Sequence, residues 1–252
     1  MKNIWTRDEL KLALSVYFQL PFGRLNRSTP EVKELARLIG RTDNSAALRL
    51  VNFAACDPYI INSGRKGMPA GIPVCKPIWD EFANDKERLF CEAQRIKSEL
   101  VHMPVEETLH ITKKDLEGKD RISVIKQRVN QNVFRSMVLN NYENRCAITG
   151  ISIPELLVAS HIVPWSVNEK ERLNPENGIC LSALYDRAFD QGFISIDKNN
   201  KIILADKLRL YEKERFYAEH FACIKGQYIH LPEEHLPNPI FLEWHRDCVF
   251  NK

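Results

Sequence analysis

Four side chains in the second half of the chain have the types and spacing that the hydrolysis of a phosphodiester bond requires. They are His161, Asn177, Asp186 and Asp190. Paired carboxylates supply the oxygen ligands that a hard divalent cation prefers, and such a cation polarises the phosphate and stabilises the leaving oxyanion. A neutral imidazole takes the proton from the attacking water. A hydrogen bond with Asn177 would fix the tautomer and direction of that imidazole.

A pair of strands is predicted to hold the first two of these side chains. Residues 156–165, LLVASHIVPW, form a short apolar run that ends at a proline, so His161 lies near the end of a strand. A second strand is predicted at Gly178–Leu181, directly after turn residues that finish with Asn177. We therefore expect the two strands to form a hairpin with the histidine and the asparagine at one end.

A helix is predicted to follow the second strand and to carry both carboxylates. It runs from Ser182 to Gln191, and Gly192 suits the position just past its end. Asp186 and Asp190 are four residues apart, so they fall on one helical face about one turn from each other. The predicted order of strand, loop, strand and helix is a ββα unit.

This region resembles the HNH endonucleases, and in particular the restriction endonucleases among them. The segments that carry the resemblance are CAITG at 146–150, ASHIVPW at 159–165, NPENG at 174–178 and YDRAFDQG at 185–192. The resemblance extends over about residues 121–200 and implies a ββα-metal fold. It also implies that His161 is the general base, that Asn177 is its orienting partner, and that Asp186 and Asp190 lie on the metal side.

Two positions depart from the pattern of that family. Many HNH nucleases place a metal-binding histidine or aspartate just before the base, whereas this chain has Ser160, a weak ligand in its neutral form. We include Ser160 among the metal-side candidates and expect water and the DNA phosphate to complete the shell. The last histidine of the motif is replaced by an aspartate, which favours Mg²⁺ or Mn²⁺ over Zn²⁺.

Cys146 and Cys180 are single and are predicted to be core thiols.

Three short helices are predicted in the first 58 residues, and their order resembles a helix-turn-helix or Myb-like module. The helices begin at Thr6, Thr29 and Thr42 and end before Pro21, at Gly40 and before Asp57–Pro58. Such a module either reads DNA or only packs against the rest of the chain, and the pattern permits both interpretations.

Several polar and basic side chains are candidates for DNA contact. Arginine and asparagine on the outer face of helix 42–55 would suit the edges of guanine and adenine. Basic residues in the Gly- and Pro-rich stretch 62–77, predicted as a mobile loop or β-ribbon, and on helix 121–142 would suit phosphates. The candidates are Asn44, Ser45, Arg49, Asn52, Arg65, Lys66, Arg128 and Arg135.

These elements predict an α+β chain with an N-terminal helical domain, DNA-binding in type, and a C-terminal ββα-metal domain. We place the helical domain at 1–103, including a charged helix at 78–103, a linker at 104–120, and the nuclease domain at 121–252. A further strand is predicted at Lys201–Leu204. The proline-containing end is predicted to wrap irregularly over the core, with His245 in a structural role.

Composition sets broader limits on what the protein is. The chain has 252 residues, 44% of them hydrophobic, which is typical of a folded protein. Its net charge of +3 is only mildly basic. Seven cysteines without a CxxC pair favour a reducing compartment, and no apolar run is long enough to cross a bilayer. We therefore expect a cytoplasmic location and no membrane contact.

The resemblance implies a metal-dependent DNA endonuclease with a restriction or defence role. Because one ββα site cuts one strand, a break in double-stranded DNA requires two sites, and we expect a homodimer. Two alternatives remain. One is a non-catalytic DNA-binding regulator with a degenerate HNH fold, which Ser160 favours. The other is a nuclease that acts on RNA or structured DNA. The resemblance also includes modification-dependent enzymes, since some restriction nucleases of the HNH type act only on modified DNA.

Overall fold

The computed structural model describes residues 4–250, which divide between Val133 and Phe134 into two compact units. The helices that begin before this boundary are α1 Arg7–Tyr17, α2 Pro30–Ile39, α3 Asp43–Ala54, α4 Pro58–Asn62, α5 Ile72–Phe82, α6 Lys86–Val101, α7 Val105–Thr108, α8 Lys113–Leu116 and α9 Arg121–Asn141. The elements that follow are β1 Leu157–His161, β2 Gly178–Ser182, α10 Ala183–Asp190, β3 Ile194–Ile196, β4 Ile202–Leu204, α11 Arg215–His220 and α12 Pro239–His245. This mixture fits the predicted α+β class.

The first three helices form as the local sequence predicts. Thr6 caps α1 by accepting a hydrogen bond from the Glu9 backbone, and the Glu9 carboxylate accepts one from the Thr6 backbone. Thr42 caps α3 in the same way as Thr6 caps α1. Gly40 ends α2 with a φ of 65°, a backbone conformation that favours glycine. These caps fix the ends of helices whose apolar faces meet in the core of the first unit.

The second helix begins at Pro30 and the third ends before Asp57–Pro58, as predicted, but the Thr29 and Asp57 side chains have other roles than the sequence suggested. Thr29 precedes α2 but does not cap it, because its hydroxyl donates instead to the Arg24 carbonyl at 2.7 Å. Asp57–Pro58, predicted as the stop of the third helix, begins α4, since the Asp57 carboxylate accepts a hydrogen bond from the Tyr59 backbone at 2.9 Å. An acidic residue followed by proline signals the start of a helix as well as the end of one.

The stretch predicted as a mobile loop or β-ribbon is largely helical. Its second half belongs to α5, where Pro73 occupies the first turn and needs no backbone donor. The single helix predicted at 78–103 is two helices, because α5 ends at Phe82 and Asp85 caps the start of α6.

Residues 104–120 are not the structureless linker that the sequence suggested. They contain α7 and α8, and Leu109 and Ile111 between these helices are buried. The Thr108 hydroxyl also accepts a hydrogen bond from Gln94 of α6 at 2.7 Å. The boundary between the two compact units lies farther along, inside α9.

The second unit is built on a hairpin with a helix on each face. β1 and β2 are antiparallel, and His161 lies opposite Gly178. A Cβ atom on Gly178 would lie 2.4 Å from Val138 Cγ2 and 2.9 Å from Phe134 Cζ, so the glycine allows α9 to approach this face. α10 packs against the other face of the same hairpin. β3 and β4 form a second antiparallel pair, which confirms the strand predicted near residue 201.

The C-terminal end is irregular at residues 227–238, as predicted from its prolines, and helical from Pro239 onward. α12 continues into a π-helical turn at Arg246–Phe250. Gly192, which follows α10 with a φ of 61°, packs against this turn so closely that a Cβ atom would lie 2.4 Å from the Val249 carbonyl oxygen. No helix within residues 4–250 is both long and apolar enough to cross a membrane.

His245 connects α12 to the rest of the second unit. Its ring is 2% exposed and stacks on Phe189 with centroids 3.6 Å apart. One ring nitrogen lies 2.8 Å from the Ser195 hydroxyl and the other 3.1 Å from the Phe189 carbonyl oxygen. Both nitrogens therefore have partners inside the core, which supports the structural role expected for this residue.

The buried His245 ring makes the stability of the second unit dependent on pH. Burial lowers its pKa from 6.5 to about 4, so the unfolded chain binds a proton that the folded chain excludes between these values. Stability contributed by the neutral ring is complete above pH 6.5 and falls as the pH drops toward 4. We expect protonation linked to His245 to lower the free energy of unfolding by about 2 kcal/mol when the pH falls from 7.5 to 5.

Urea unfolding of the wild type and of His245→Gln at both pH values measures this loss. The variant should have a lower free energy of unfolding than the wild type at pH 7.5. On acidification to pH 5 its free energy of unfolding should fall by less than that of the wild type. His230→Gln, which changes an exposed histidine, is the matched control and should keep the wild-type pH dependence. Equal acid losses in the wild type and His245→Gln would contradict the assignment.

Candidate active site

The ββα unit brings three of the predicted site residues together. Ser160, Asp186 and Asp190 lie where β1 meets α10. Ser160 is 2% exposed, and its hydroxyl faces the Asp186 carboxyl group. Within the described part of the chain this hydroxyl forms no hydrogen bond of ordinary length. A buried hydroxyl without a partner beside a carboxylate is the kind of group that a bound cation or its water would satisfy.

Burial and neighbouring groups shift the pKa values of both carboxylates. Burial raises the pKa of Asp186, while Ser160 and Arg187 act in the opposite direction. Burial also raises the pKa of Asp190, the charge of Asp186 raises it further, and Arg187 lowers it. Negative charge is therefore incompletely compensated on this face of α10, which is the condition that a divalent cation relieves.

The protein ligands in this region are few. No group of three His, Cys, Asp or Glu side chains converges on a metal position within residues 4–250. The donor set that the fold supplies is all oxygen, two carboxylates and one hydroxyl, and this set suits Mg²⁺ or Mn²⁺. The residues present thus fit a cation that retains part of its water shell.

His161 occupies the opposite face of the hairpin. Neighbouring residues of a strand point to opposite sides, so Ser160 faces α10 while His161 faces α9. The imidazole stacks on Phe134 with centroids 3.5 Å apart and planes inclined by 13°. Within residues 4–250 it makes no hydrogen bond to Asp186 or Asp190.

Trp165 and the loop after β1 complete the environment of His161. The Trp165 ring meets the imidazole edge-on, and its indole nitrogen lies 2.5 Å from Nε2 and 3.1 Å from Nδ1. The Arg172 carbonyl oxygen lies 3.3 Å from Nε2. Burial lowers the pKa of His161 to about 4, partly offset by the Arg172 carbonyl. The ring is therefore neutral at pH 7, in the form that accepts a proton.

Asn177 does not orient the imidazole, contrary to the prediction from sequence. Its side chain is fully buried, and Oδ1 accepts a hydrogen bond from the Val163 backbone at 2.8 Å. Its Nδ2 donates to the Val163 carbonyl at 3.0 Å and to the Glu171 carbonyl at 3.4 Å. The amide thus closes the loop between β1 and β2 and fixes the backbone that follows His161.

Replacing Asn177 with alanine is expected to destabilise the second unit by about 3 kcal/mol, because the Val163 backbone groups lose their partners in a buried place. Urea unfolding measures the loss. Asn199→Ala, at an exposed position of the same unit, is the control and should change stability little. A loss as small as that of the control would show that solvent or the loop replaces the amide.

Three of the DNA-contact candidates are used by the fold. The Asn52 side chain is buried and donates to the Met68 carbonyl at 3.0 Å, so it is not on the outer face of α3. Arg49 lies over the Trp5 ring and contacts Cys75 Sγ at 3.6 Å. Arg135 donates to the carbonyls of Leu157 and Pro154 at 2.7 and 2.9 Å and thereby ties α9 to the start of β1.

The other candidates keep a more open position. Asn44 and Lys66 are exposed, and Ser45 is half-buried. Arg65 lies 5.7 Å from the centre of the Phe22 ring. Arg128 is 3.8 Å from Asp115 in a partly exposed ion pair, which costs little to break.

Sequence reasoning did not identify the residues that surround the histidine. Phe134 stacks on it, yet α9 lies well before β1 in the chain and no local signal links the two elements. Trp165 follows His161 at a spacing of four residues, so the sequence alone could have suggested that the two rings lie close together. Cys146 and Cys180 are both buried, and Cys146 Sγ accepts a hydrogen bond from the Ser182 backbone at 3.2 Å.

Comparison with known proteins identifies the same region. Residues 146–197 match a family model described as HNH endonuclease. The match begins at Cys146, includes both strands of the hairpin and α10, and ends after β3. No curated protein matches the chain.

Proposed function

Residues 146–197 are an HNH endonuclease domain, and from this premise we propose that the chain is a metal-dependent endonuclease that cleaves double-stranded DNA. The observation that carries the proposal is the buried Ser160 hydroxyl, which faces the Asp186 carboxyl group and forms no hydrogen bond of ordinary length within residues 4–250. Asp190 lies one helical turn away on the same face of α10. These groups would hold a Mg²⁺ or Mn²⁺ ion.

Each residue has a separate task in the proposed reaction. Ser160, Asp186 and Asp190 would hold the cation, which when bound would supply charge stabilisation to the phosphate and the leaving oxygen. His161 is assigned as the general base on the resemblance; its neutral imidazole packs on Phe134 here and would have to turn toward the carboxylate side of the hairpin to take a proton from the attacking water. Asn177 acts through the backbone, since its bonds to the loop hold the chain around His161. It is a positioning residue.

We assign DNA contact to the first unit. The support is its helical order α1 to α3 and the open Asn44 and Lys66 side chains, together with Arg65 and Arg128 at partly exposed positions. The resemblance to restriction endonucleases supports a defence role in the cytoplasm and a homodimer, because each site cuts one strand. Modified and unmodified genomic DNA cut in parallel would show whether a modified base is required.

A plasmid nicking assay tests the activity. Supercoiled DNA is incubated with the pure chain in Mg²⁺ or Mn²⁺, and a parallel sample contains EDTA. We expect nicked or linear product only with the metal. Product that is equal in EDTA would contradict the metal requirement.

A non-catalytic DNA-binding regulator is the second candidate, favoured by the serine at position 160. It predicts retention of DNA in a binding assay without any nicking in Mg²⁺ or Mn²⁺. Single-stranded RNA and branched DNA, offered in the same reactions, separate the remaining alternative. Cleavage of RNA with intact plasmid would assign the chain to ribonucleases.

A further inference from the structure

A cavity of about 430 Å³ lies against α10 on a different face from the carboxylates. Residues of α10 that line it are Leu184, Arg187 and Ala188, and Gln191 follows directly after the helix. Successive residues of a helix are 100° apart around its axis. The residues that line the cavity therefore lie on a different face of α10 from Asp186 and Asp190. Two sites therefore flank one short helix.

Aromatic rings form most of the remaining lining. Phe221 is buried, whereas the side chains of Phe216 and Tyr211 are 49% and 46% exposed although they border the cavity. The Phe216 and Phe221 rings lie 6.2 Å apart and are inclined by 58°, so they do not cover each other face to face. Large aromatic faces thus remain open to a ligand. We call this space the aromatic cavity.

Polar side chains border the aromatic cavity, and they differ in whether they donate or accept hydrogen bonds. Arg187 supplies only donors, Glu214 supplies only an acceptor, and Gln191 supplies both. Arg187 is exposed and has no ion-pair partner among residues 4–250, and its flat guanidinium can also stack on a ring. A ligand that fits must present a flat apolar face and an edge with both donors and acceptors.

We propose that the aromatic cavity binds a single nucleobase, unpaired from the DNA strand whose phosphate lies at Asp186 and Asp190. A nucleobase has the required flat face and mixed edge, and the cavity volume lies within the range of sites for small planar ligands. α10 is about 10 Å across with its side chains, so a strand placed at the carboxylates passes the cavity within a few nucleotides. The inference rests on the proposed function.

Arg187 lies between the two sites. It influences the pKa of both carboxylates and also lines the aromatic cavity. A phosphate between the two sites would meet this exposed guanidinium, which binds phosphate oxygens in pairs. The charge and the rings are thus arranged in the order in which a strand presents phosphate and base.

The test compares two labelled single strands of equal length, one of mixed sequence and one made only of abasic residues. Fluorescence anisotropy measures their binding to the full chain and to Phe216→Ala in Mg²⁺, read before cleavage begins, because a phosphate at the two carboxylates requires the cation between them. We expect the wild type to prefer the strand with bases. Stacking on one aromatic ring contributes about 1–3 kcal/mol, so Phe216→Ala should weaken that binding about 5- to 150-fold and leave the abasic strand unaffected.

Tyr228→Ala is the matched control, since Tyr228 is an aromatic residue that is 66% exposed and lies outside the aromatic cavity. It should bind both strands as the wild type does. Tyr211→Ala provides a second cavity variant if Phe216→Ala unfolds, and thermal melting checks both. Equal weakening for the two strands, or no weakening in either cavity variant, would overturn the proposal.

The plasmid assay separates this proposal from the proposed function. Suppose that the wild type nicks DNA and that the cavity variants bind both strands as the wild type does. The proposed nuclease function then stands, and the proposed nucleobase site is wrong. A wild type that binds no strand at all overturns the nucleobase site directly. A change of oligomeric state in Phe216→Ala, seen by gel filtration, with unchanged strand preference would assign the cavity to a second copy of the chain instead.

Discussion

Replacing Asp186 with asparagine is expected to lower metal-dependent cleavage of plasmid DNA about a thousandfold. The substitution keeps the shape of the side chain but removes the charge that binds the cation, and the stabilisation that such a cation gives is several kcal/mol. It also removes one of two carboxylates whose pKa is raised by burial, so the fold should not suffer. The expected change is therefore in chemistry alone.

Titration with Mg²⁺ and Mn²⁺ measures this effect most directly. The residual activity of Asp186→Asn should require much more metal than the wild type does. Asp206→Asn, at a carboxylate whose side chain is 85% exposed in the same unit, should keep the wild-type titration. An Asp186→Asn variant with the wild-type rate and metal requirement would remove this residue from the proposed site.

Replacing His161 with alanine is expected to slow cleavage about 10²- to 10⁴-fold, the usual range for the loss of a general base. Binding of DNA should change little, because the imidazole is neutral at pH 7 and makes no ion pair within residues 4–250. A filter-binding or anisotropy assay in EDTA gives the affinity, and the plasmid assay in Mg²⁺ gives the rate.

The position of His161 requires a second variant. The imidazole fills space against Phe134, so alanine also leaves a cavity, whereas glutamine retains most of the volume and cannot act as a base. His161→Gln should therefore be as inactive as His161→Ala while melting nearer to the wild type. Full cleavage by a stably folded His161→Gln would refute the assignment of the base.

Short-range signals in the sequence were the most informative about the fold. Thr6 and Glu9 act on each other across three residues, and the capping box that they predict is confirmed. The order of the ββα unit was equally accessible, because β1, β2 and α10 follow one another and each has its own periodicity. The match of residues 146–197 to the HNH endonuclease model confirms the family that these segments suggested.

Contacts between distant segments were not accessible in the same way. The prediction for Asn52 failed because periodicity marks the apolar face of α3 but not the part that residues 68–71 cover. Asn177 was placed correctly at the end of the hairpin loop, yet its partner is backbone, and any residue type except proline at 163 supplies the same groups. A sequence pattern does not reveal a hydrogen-bond partner that is a backbone group, because nearly every residue type carries the same backbone groups.

The close packing of Gly192 on the Val249 carbonyl bears on the order in which the protein becomes complete during synthesis. The residues that would hold the cation are translated well before α12 and the turn at Arg246–Phe250. Until these later residues emerge, Phe189 lacks the His245 ring that stacks on it, and the end of α10 lacks its cover. A nascent chain that already contains the whole HNH segment therefore has an unsupported metal-side helix. We therefore expect translation of the proposed metal site to precede its maturation.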